Sequence, residues 1–418
     1  MSPEVRAIDE SEFREWLLAK RTGFLNPPVL KDEEVADRLP HTDLSRTYGA
    51  FDRGRMVATF HSFDQKLSTV GGASLAANAV SAVTVSPTHR RRGLLSRMMT
   101  ADLARAKERG DACATLIAAE YPIYGRFGFG VASWVTEWLV DVTRSGLDHR
   151  WSGEADGGVG GGGRIDFSDG AEIREEGPEL HRRLAAQRAG VTARTARGWD
   201  IGTGNSYPFE PWTEPFYAMY RSAAGEVEGY VAYTADDKWN DRKQPVNTAS
   251  VRDLIAVTPA AERALWRFVC SVDWITQVRT GYRAPDDVLP LLLPDPRAAQ
   301  VLTHADMVWL RILDVPKVFA PRTYATEGVL VLEVKDAAGY AGGRFRLEAS
   351  QAGGVCAPTT ASPDLVLDVA ELATLALGDE SAVRLAALGR IEEPVAGAAA
   401  RADLLLRTSR RPWSMDIF

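Results

Sequence analysis

The chain has 418 residues, 45% of them hydrophobic and 25% charged, which is ordinary globular usage and excludes a mostly disordered or low-complexity protein. That length exceeds one hydrophobic core and predicts three domains. The 49 basic and 56 acidic residues leave a net charge of −7, which removes the electrostatic footprint of a general nucleic-acid binder and suits cationic partners.

The three cysteines, Cys113, Cys270 and Cys356, are widely spaced and offer neither a disulfide framework nor metal-ligand spacing. A reducing, cytoplasmic protein without a metal is expected. The first residues, Met1-Ser2-Pro3-Glu4-Val5, have no basic stretch followed by an apolar one, and no later segment approaches about 18 uninterrupted apolar residues. Neither export nor a membrane span is expected.

Residues 10–18 are amphipathic, with Phe13, Trp16 and Leu17 on one side, and residues 47–63 read as a hairpin about Asp52-Arg53-Gly54. A β-branched run over 78–85 ends in Ser86-Pro87. A helical pattern carrying Leu94, Leu95, Met98, Leu103 and Ala106 follows and stops at Gly110. Residues 113–118 and 134–142 read as further strands, closing a first domain over 1–150. Residues 153–163 are glycine with acidic residues, a linker composition. Their formal G-x-G-x-x-G at Gly158, Gly160 and Gly163 lacks the preceding strand and following helix that dinucleotide binding needs.

Beyond the linker, residues 252–259 followed by 262–266 repeat the strand, proline and helix of 81–95, which suggests a duplicated unit over 164–294. Chance similarity of two such junctions is the alternative. The second copy has Ala264 where the first has Gly93 and lacks most of its arginines. Pro285, Pro290, Pro294 and Pro296 mark the boundary of a third, α+β region over 297–418. Strands are predicted there at 328–334 and 343–349, helices at 369–377 and 382–388, and a last strand at 402–407. The final residues, 413–418, are apolar enough to dock.

The strongest chemical signal is Val83-Thr84-Val85-Ser86-Pro87-Thr88-His89-Arg90-Arg91-Arg92-Gly93-Leu94-Leu95. A strand delivers the chain to a tight loop whose N–H groups, with the positive end of the next helix, make a pyrophosphate site. Arg90, Arg91 and Arg92 add charge, and Gly93 lets an anion approach the backbone. The bland alternative is a solvated basic patch before an ordinary helix.

Arg90-x-x-Gly93 after a strand resembles the acetyl-CoA loop of the GNAT N-acetyltransferases, with Leu95 where that motif usually has Gly or Ala. The run Arg-Arg-Arg-Gly-Leu-Leu is more closely similar to the Eis (enhanced intracellular survival) acetyltransferases. Ile123-Tyr124-Gly125-Arg126-Phe127-Gly128-Phe129-Gly130 resembles that family's signature, in which the tyrosine is the general acid. The chain ends in phenylalanine, and in the family the terminal carboxylate is the general base. The resemblance implies a mixed α/β, α+β architecture: a catalytic GNAT domain over 1–150, a degenerate GNAT-like domain over 164–294 and a sterol-carrier-protein-like domain over 297–418. It implies acetyl-CoA as cosubstrate, held by Val83, Val85, Arg90, Arg91, Arg92, Gly93, Leu94 and Leu95, and Tyr124 and Phe418 as catalytic residues. It also implies aminoglycoside acceptors in a large, partly acidic pocket between the first and third domains, and a homohexamer. Protein lysine or a polyamine is the alternative acceptor, and a non-catalytic coenzyme A or lipid binder is the rival from another class.

The chemistry of these residue types is consistent with that resemblance. Aminolysis of a thioester needs a neutral amine, a polarised carbonyl and a proton for the departing thiolate. Strand 78–85 can supply N–H groups if it splays from strand 113–118. Tyr124, just after the second strand, can donate to sulfur, although a packing role is the alternative reading. Tyr121 lies nearby but is not selected by the signature. Glu120 is the nearest conventional base or a surface charge. A terminal carboxylate has an ordinary pKa of about 3.3 to 3.7, which burial raises. Phe418 and Trp413 would anchor it, Asp416 would face a polycationic acceptor, and Trp16, Phe24 and Asn26 are candidate pocket lining.

Overall fold

The computed structural model describes residues 3–145, 162–206 and 212–418. The glycine-rich linker and its formal G-x-G-x-x-G lie outside the described residues, except for Gly162 and Gly163. The strands are β1 (Glu4–Ala7), β2 (Thr47–Asp52), β3 (Arg55–Ser68), β4 (Ser74–Val85), β5 (Cys113–Ile117), β6 (Gly130–Val131), β7 (Trp134–Asp141), β8 (Arg164–Ser168), β9 (Phe216–Arg221) and β10 (Val227–Ala235). They continue as β11 (Asn247–Ala256), β12 (Ile275–Arg279), β13 (Ala299–Asp306), β14 (Val308–Ile312), β15 (Gly328–Lys335), β16 (Gly343–Ser350), β17 (Gly353–Pro358), β18 (Leu365–Asp368) and β19 (Ile391–Glu392). The helices are α1 (Phe13–Gly23), α2 (Asp32–Arg38), α3 (Leu94–Arg109), α4 (Val142–Ser145), α5 (Gly170–Gln187) and α6 (Ala196–Gly202). After them come α7 (Pro259–Cys270), α8 (Leu289–Leu292), α9 (Val315–Phe319), α10 (Val369–Ala376), α11 (Ala382–Ala387) and α12 (Ala398–Leu406).

The strands form three sheets, in the orders β1-β2-β3-β4-β5-β14-β6, β13-β7-β12-β11-β10-β9-β8 and β17-β16-β15-β18-β19. By contacts the chain divides into two compact units. One holds Met1–Ser133, Met307–Ser409 and Ile417–Phe418, and the other Trp134–Asp306 and Arg410–Asp416. The strand at 134–142 was expected to close the first domain. Instead β7 pairs with β13 and β12 in the second sheet. Its place in the first sheet goes to β14, which pairs with β5 and β6 and is buried at all five positions.

Within the first unit, Arg53 and Gly54 take φ values of +51° and +74°, the conformations a tight hairpin turn between β2 and β3 requires. A capping box between Asp9 and Glu12 starts the turn that leads into α1, and Phe13, Trp16 and Leu17 form its buried face. Gly110, at φ +88°, ends α3 in the left-handed conformation. Successive strand side chains point to opposite faces, so α1 meets His61 through Trp16 while α3 meets Ser62 through Asp102. Asp102 also accepts from Asn78 Nδ2 at 2.6 Å, and Asn78 Oδ1 accepts from Arg46 at 2.5 Å and Arg109 at 2.9 Å. This buried polar network fixes α3 against β3 and β4.

The third sheet shares a hydrophobic core with the first. Gly130 of β6 lies against the carbonyl of Ala370 in α10, leaving no room for a Cβ. The guanidinium of Arg311, fully buried on β14, reaches both carboxylate oxygens of Asp336, at 2.7 and 2.8 Å. One element differs in type from the sequence reading. Residues 402–407, expected as a strand, fall mostly in helix α12. Gly397 at φ +83° starts that helix, and Ala398, Ala399, Ala402, Leu405 and Leu406 are its buried residues, at helical spacing.

Candidate active site

Strands β4 and β5 run parallel for only three pairs, Ala77 with Cys113, Asn78 with Ala114 and Ala79 with Thr115. Beyond Ala79 the two strands part, and among the described residues the β5-facing edge of β4 through Val85 has no strand partner. Ala82, at φ +54°, sits where the pairing with β3 shifts register between Thr59 and His61, a bulge of the kind that redirects a strand. Val83 and Val85 lie half-buried on this open stretch. A short turn, Pro87–His89, then leads to Arg91 at φ +63° and Gly93 at φ +74°.

Helix α3 begins immediately after Gly93 with no side-chain cap, so its first N–H groups are left to an external acceptor. Among the described residues, and apart from its chain neighbours, no atom lies within 4 Å of where a Gly93 Cβ would stand. Arg90, Arg91 and Arg92 are exposed and carry no ion pair among the described residues. Leu94 is buried and Leu95 half-buried, holding the helix start to the core. His89 ties the turn to the β2–β3 hairpin, with Nε2 at 3.0 Å from Asp52 Oδ2. That contact holds the Asp52 carboxyl below its usual range. Open strand edge, left-handed loop, uncapped helix and unpaired guanidinium groups together suit a pyrophosphate with an extended thioester arm.

Tyr124 and Phe418 lie on the two flanks of this opening in strand order. Tyr124 is 7% exposed and packs edge-on against Phe129 and against Trp309 of β14, with ring centroids 6.2 and 6.4 Å apart. Trp309 pairs with Leu116, one step beyond the last β4–β5 pair. The Tyr124 hydroxyl makes no hydrogen bond among the described residues, and burial, with the charge of Glu120, pushes its pKa up. Tyr121 packs on the same Trp309 but is 55% exposed. On the other flank, the Phe418 ring sits edge-on to Phe63 of β3 at 6.0 Å, and Phe63 pairs with Ala79, where the strands part.

Comparison with known proteins decides the family. An acetyltransferase (GNAT) domain family matches residues 4–132, a second matches 190–312, and a sterol carrier protein domain family matches 315–415. N-acetyltransferase Eis of Mycobacterium tuberculosis is 33% identical over 82% of this chain and 81% of its own. The chain belongs to the Eis family of GNAT N-acetyltransferases. An uncharacterized N-acetyltransferase of Streptomyces griseus is 61% identical over the full length of both chains. Among solved structures, Eis1 of Mycobacterium abscessus superposes with a TM-score of 0.85 at 29% identity, over 99% of this chain and 100% of its own.

As an Eis-family enzyme, the chain has two GNAT domains followed by a sterol-carrier-type domain and uses acetyl-CoA as acetyl donor. The second copy of the loop is built differently from the first. At the β11–α7 junction Thr258 caps the helix, its Oγ1 accepting from Ala261 N at 3.2 Å and donating to Glu228 at 2.7 Å. Glu262 adds a carboxylate to the first turn. The helix start that is open in α3 is thus closed and acidic in α7, a poor anion site.

Trp16 and Asp416 have other surroundings than expected. Trp16 is a core residue that donates from Nε1 to the Tyr48 carbonyl at 3.0 Å. Phe24, Asn26 and Glu120 are exposed. Asp416 does not present its charge to solvent. It pairs with His181 Nε2 at 3.0 Å and Arg194 Nε at 2.8 Å. Burial pushes its pKa up, but the Arg194 charge and the His181 bond prevail and hold it below the usual range. Trp413 is buried beside Arg283, whose guanidinium lies 4.7 Å from the ring centroid. Sequence reading missed His61 and the Asp102 network, since isolated polar residues on an alternating strand or a helix carry no motif. No helix of the described residues is long and apolar enough to cross a membrane.

Proposed function

We propose that this Eis-family enzyme acetylates amines of aminoglycoside-type polycations by direct transfer, with Tyr124 as general acid and the Phe418 carboxylate as general base. Val83 and Val85 would border the thioester arm, and Arg90, Arg91, Arg92, Gly93, Leu94 and Leu95 would hold the pyrophosphate. The acceptor nitrogen bonds to the acetyl carbon as the carbon–sulfur bond breaks. The Phe418 carboxylate takes a proton from that nitrogen, directly or through water, and the Tyr124 hydroxyl gives one to sulfur. The raised Tyr124 pKa keeps this acid protonated at neutral pH. The products are the acetamide and coenzyme A.

The observation that carries the proposal is the level of the two groups on the sheet. Phe418 packs on Phe63, which is paired with Ala79, and Tyr124 packs on Trp309, which is paired with Leu116. Both therefore border the point where β4 and β5 separate. A net charge of −7 favours polycationic acceptors over acidic ones. Three buried free cysteines support a reducing, cytoplasmic setting. The proposal includes the homohexamer implied by the family, which sedimentation velocity tests.

Thiol release from acetyl-CoA against aminoglycosides, polyamines and lysine peptides tests the acceptor class. Aminoglycosides are expected to give the highest kcat/KM. Turnover confined to lysine peptides or polyamines would replace this acceptor assignment.

A further inference from the structure

His61 stands on β3 directly opposite Ser81 of β4, two residues past Ala79, and so lies level with the opening between β4 and β5. Its ring stacks on Phe63 with centroids 5.8 Å apart, on the face of the sheet where Phe63 carries Phe418. Trp16 of α1 closes the other side, edge-on at 6.2 Å. The imidazole is therefore a fixed member of an aromatic row that ends at the chain terminus.

Its tautomer follows from one neighbour. Thr47 Oγ1 donates its single proton to the Asp43 carbonyl at 2.8 Å and lies 2.9 Å from His61 Nδ1. A hydroxyl has only one proton to give, so at this contact the Thr47 oxygen accepts and Nδ1 carries the hydrogen. The lone pair of a neutral imidazole is then at Nε2. Burial, with the charges of Lys20 from α1 and Arg46 from the turn before β2, outweighs Asp43 and pushes the His61 pKa down to about 4. At neutral pH His61 thus accepts hydrogen bonds through Nε2 and does not become a cation facing a cationic acceptor.

We propose that His61 Nε2 receives an N–H of the acceptor amine and orients it for attack, making His61 an acceptor-binding residue. This inference rests on the amine acetyltransferase reading above. An acceptor too weakly basic to keep the proton suits the task, because it holds one N–H while the nitrogen lone pair faces the acetyl carbon and the carboxylate removes the proton.

Three substitutions separate the roles of the ring. His61→Asn can keep the bond to Thr47 and loses the group at Nε2, His61→Phe keeps only the stack, and His61→Gln can place an amide oxygen near the Nε2 position. With kanamycin and spermidine as acceptors, His61→Asn and His61→Phe are expected to raise acceptor KM about tenfold, the loss of one hydrogen bond. The KM for acetyl-CoA should stay unchanged and His61→Gln should recover most of the loss. Wild-type acceptor KM in both His61→Asn and His61→Phe would overturn the assignment. Should these variants misfold, or should the wild-type protein acetylate neither amine, the wild-type protein labelled with ¹⁵N-histidine decides it independently of turnover. The Nδ1–H tautomer at pH 7 and an Nε2 resonance that moves on adding kanamycin with coenzyme A present are expected. An Nε2–H tautomer, or no movement, would reject the role. Absence of acetyl transfer by the wild-type protein would instead remove the activity assignment, leaving the resonance to decide on His61.

Discussion

Gly93 and Ala264 occupy corresponding loops, yet only the first needs glycine. At φ +74°, with open space among the described residues where its Cβ would be, Gly93 is favoured by backbone conformation and not by packing, and the proposed site adds the ligand's approach. A side chain there costs about 1–2 kcal/mol of left-handed strain and protrudes where the anion would sit. Gly93→Val is expected to weaken acetyl-CoA binding strongly with a small loss of Tm, whereas Ala264→Ser changes neither. Calorimetry should find one site per chain, and two equivalent sites would refute the contrast between the loops. Tyr124→Phe retains the ring contacts with Phe129 and Trp309 and loses only a hydroxyl without a bonded partner. Its kcat should fall about 10²- to 10⁴-fold with acetyl-CoA affinity unchanged, and wild-type turnover would transfer the role to another acid such as Tyr121. His61 has a signature in stability as well. Its pKa falls from 6.5 to about 4 on folding, so the unfolded chain binds the proton more readily. The associated stability is full above pH about 6.5 and is lost as pH drops toward 4, by roughly 3 kcal/mol for this group alone. Denaturant unfolding at pH 7 and pH 5 should show the loss, and His61→Gln should flatten it.

At the scale of elements, α3 begins at the proposed pyrophosphate loop and is held by Asp102 in its interior. Asp102→Ala leaves Ser62 and Asn78 buried without their acceptor, an expected cost of about 1–3 kcal/mol. A lower Tm together with weaker acetyl-CoA binding would show that the network sets the loop, while a lower Tm alone would limit it to stability. The strand, loop and helix from 78 to 110 were legible because Pro87, Gly93 and Gly110 punctuate a change of period from two to three-and-a-half residues. The exchange of β7 and β14 was not legible. An alternating strand records which of its faces is buried but not which sheet it joins, since backbone hydrogen bonds are indifferent to sequence. The helix α12 was misread because Leu404-Leu405-Leu406 looks like a short buried strand, although Leu404 is 67% exposed and the flanking alanines favour a helix. In the proposed site, composition and spacing mark the basic loop, whereas only resemblance marks Tyr124. His61 needed the third dimension, because its meaning comes from Thr47, Asp43 and Phe63 together.

For the whole molecule, the proposed base makes residues 413–418 the segment to test. Residues 413–416 are fixed among their own unit's side chains. Trp413 N donates to the Ala189 carbonyl at 2.9 Å, Ser414 Oγ lies 3.1 Å from Thr192 Oγ1, and Asp416 is held by His181 and Arg194. Arg194 is itself held by Asp253 at 2.6 Å. Ile417 is 67% exposed, and the Phe418 ring packs on Phe63. A general base must lie within hydrogen-bond reach of the amine or of one bridging water, so under the proposed mechanism moving the carboxylate is as harmful as removing it. Deleting Phe418 transfers the carboxylate to Ile417 and removes the ring that locates it. Appending two glycines converts it to a neutral amide while leaving every anchoring contact intact. Both variants are expected to keep Tm and acetyl-CoA affinity and to lose most acetyl transfer, read as kcat with kanamycin. The extended variant is the stricter test, because it retains Phe418 itself. Full activity in that protein would reject the terminal carboxylate as base and leave Glu120 or an ordered water to take the proton.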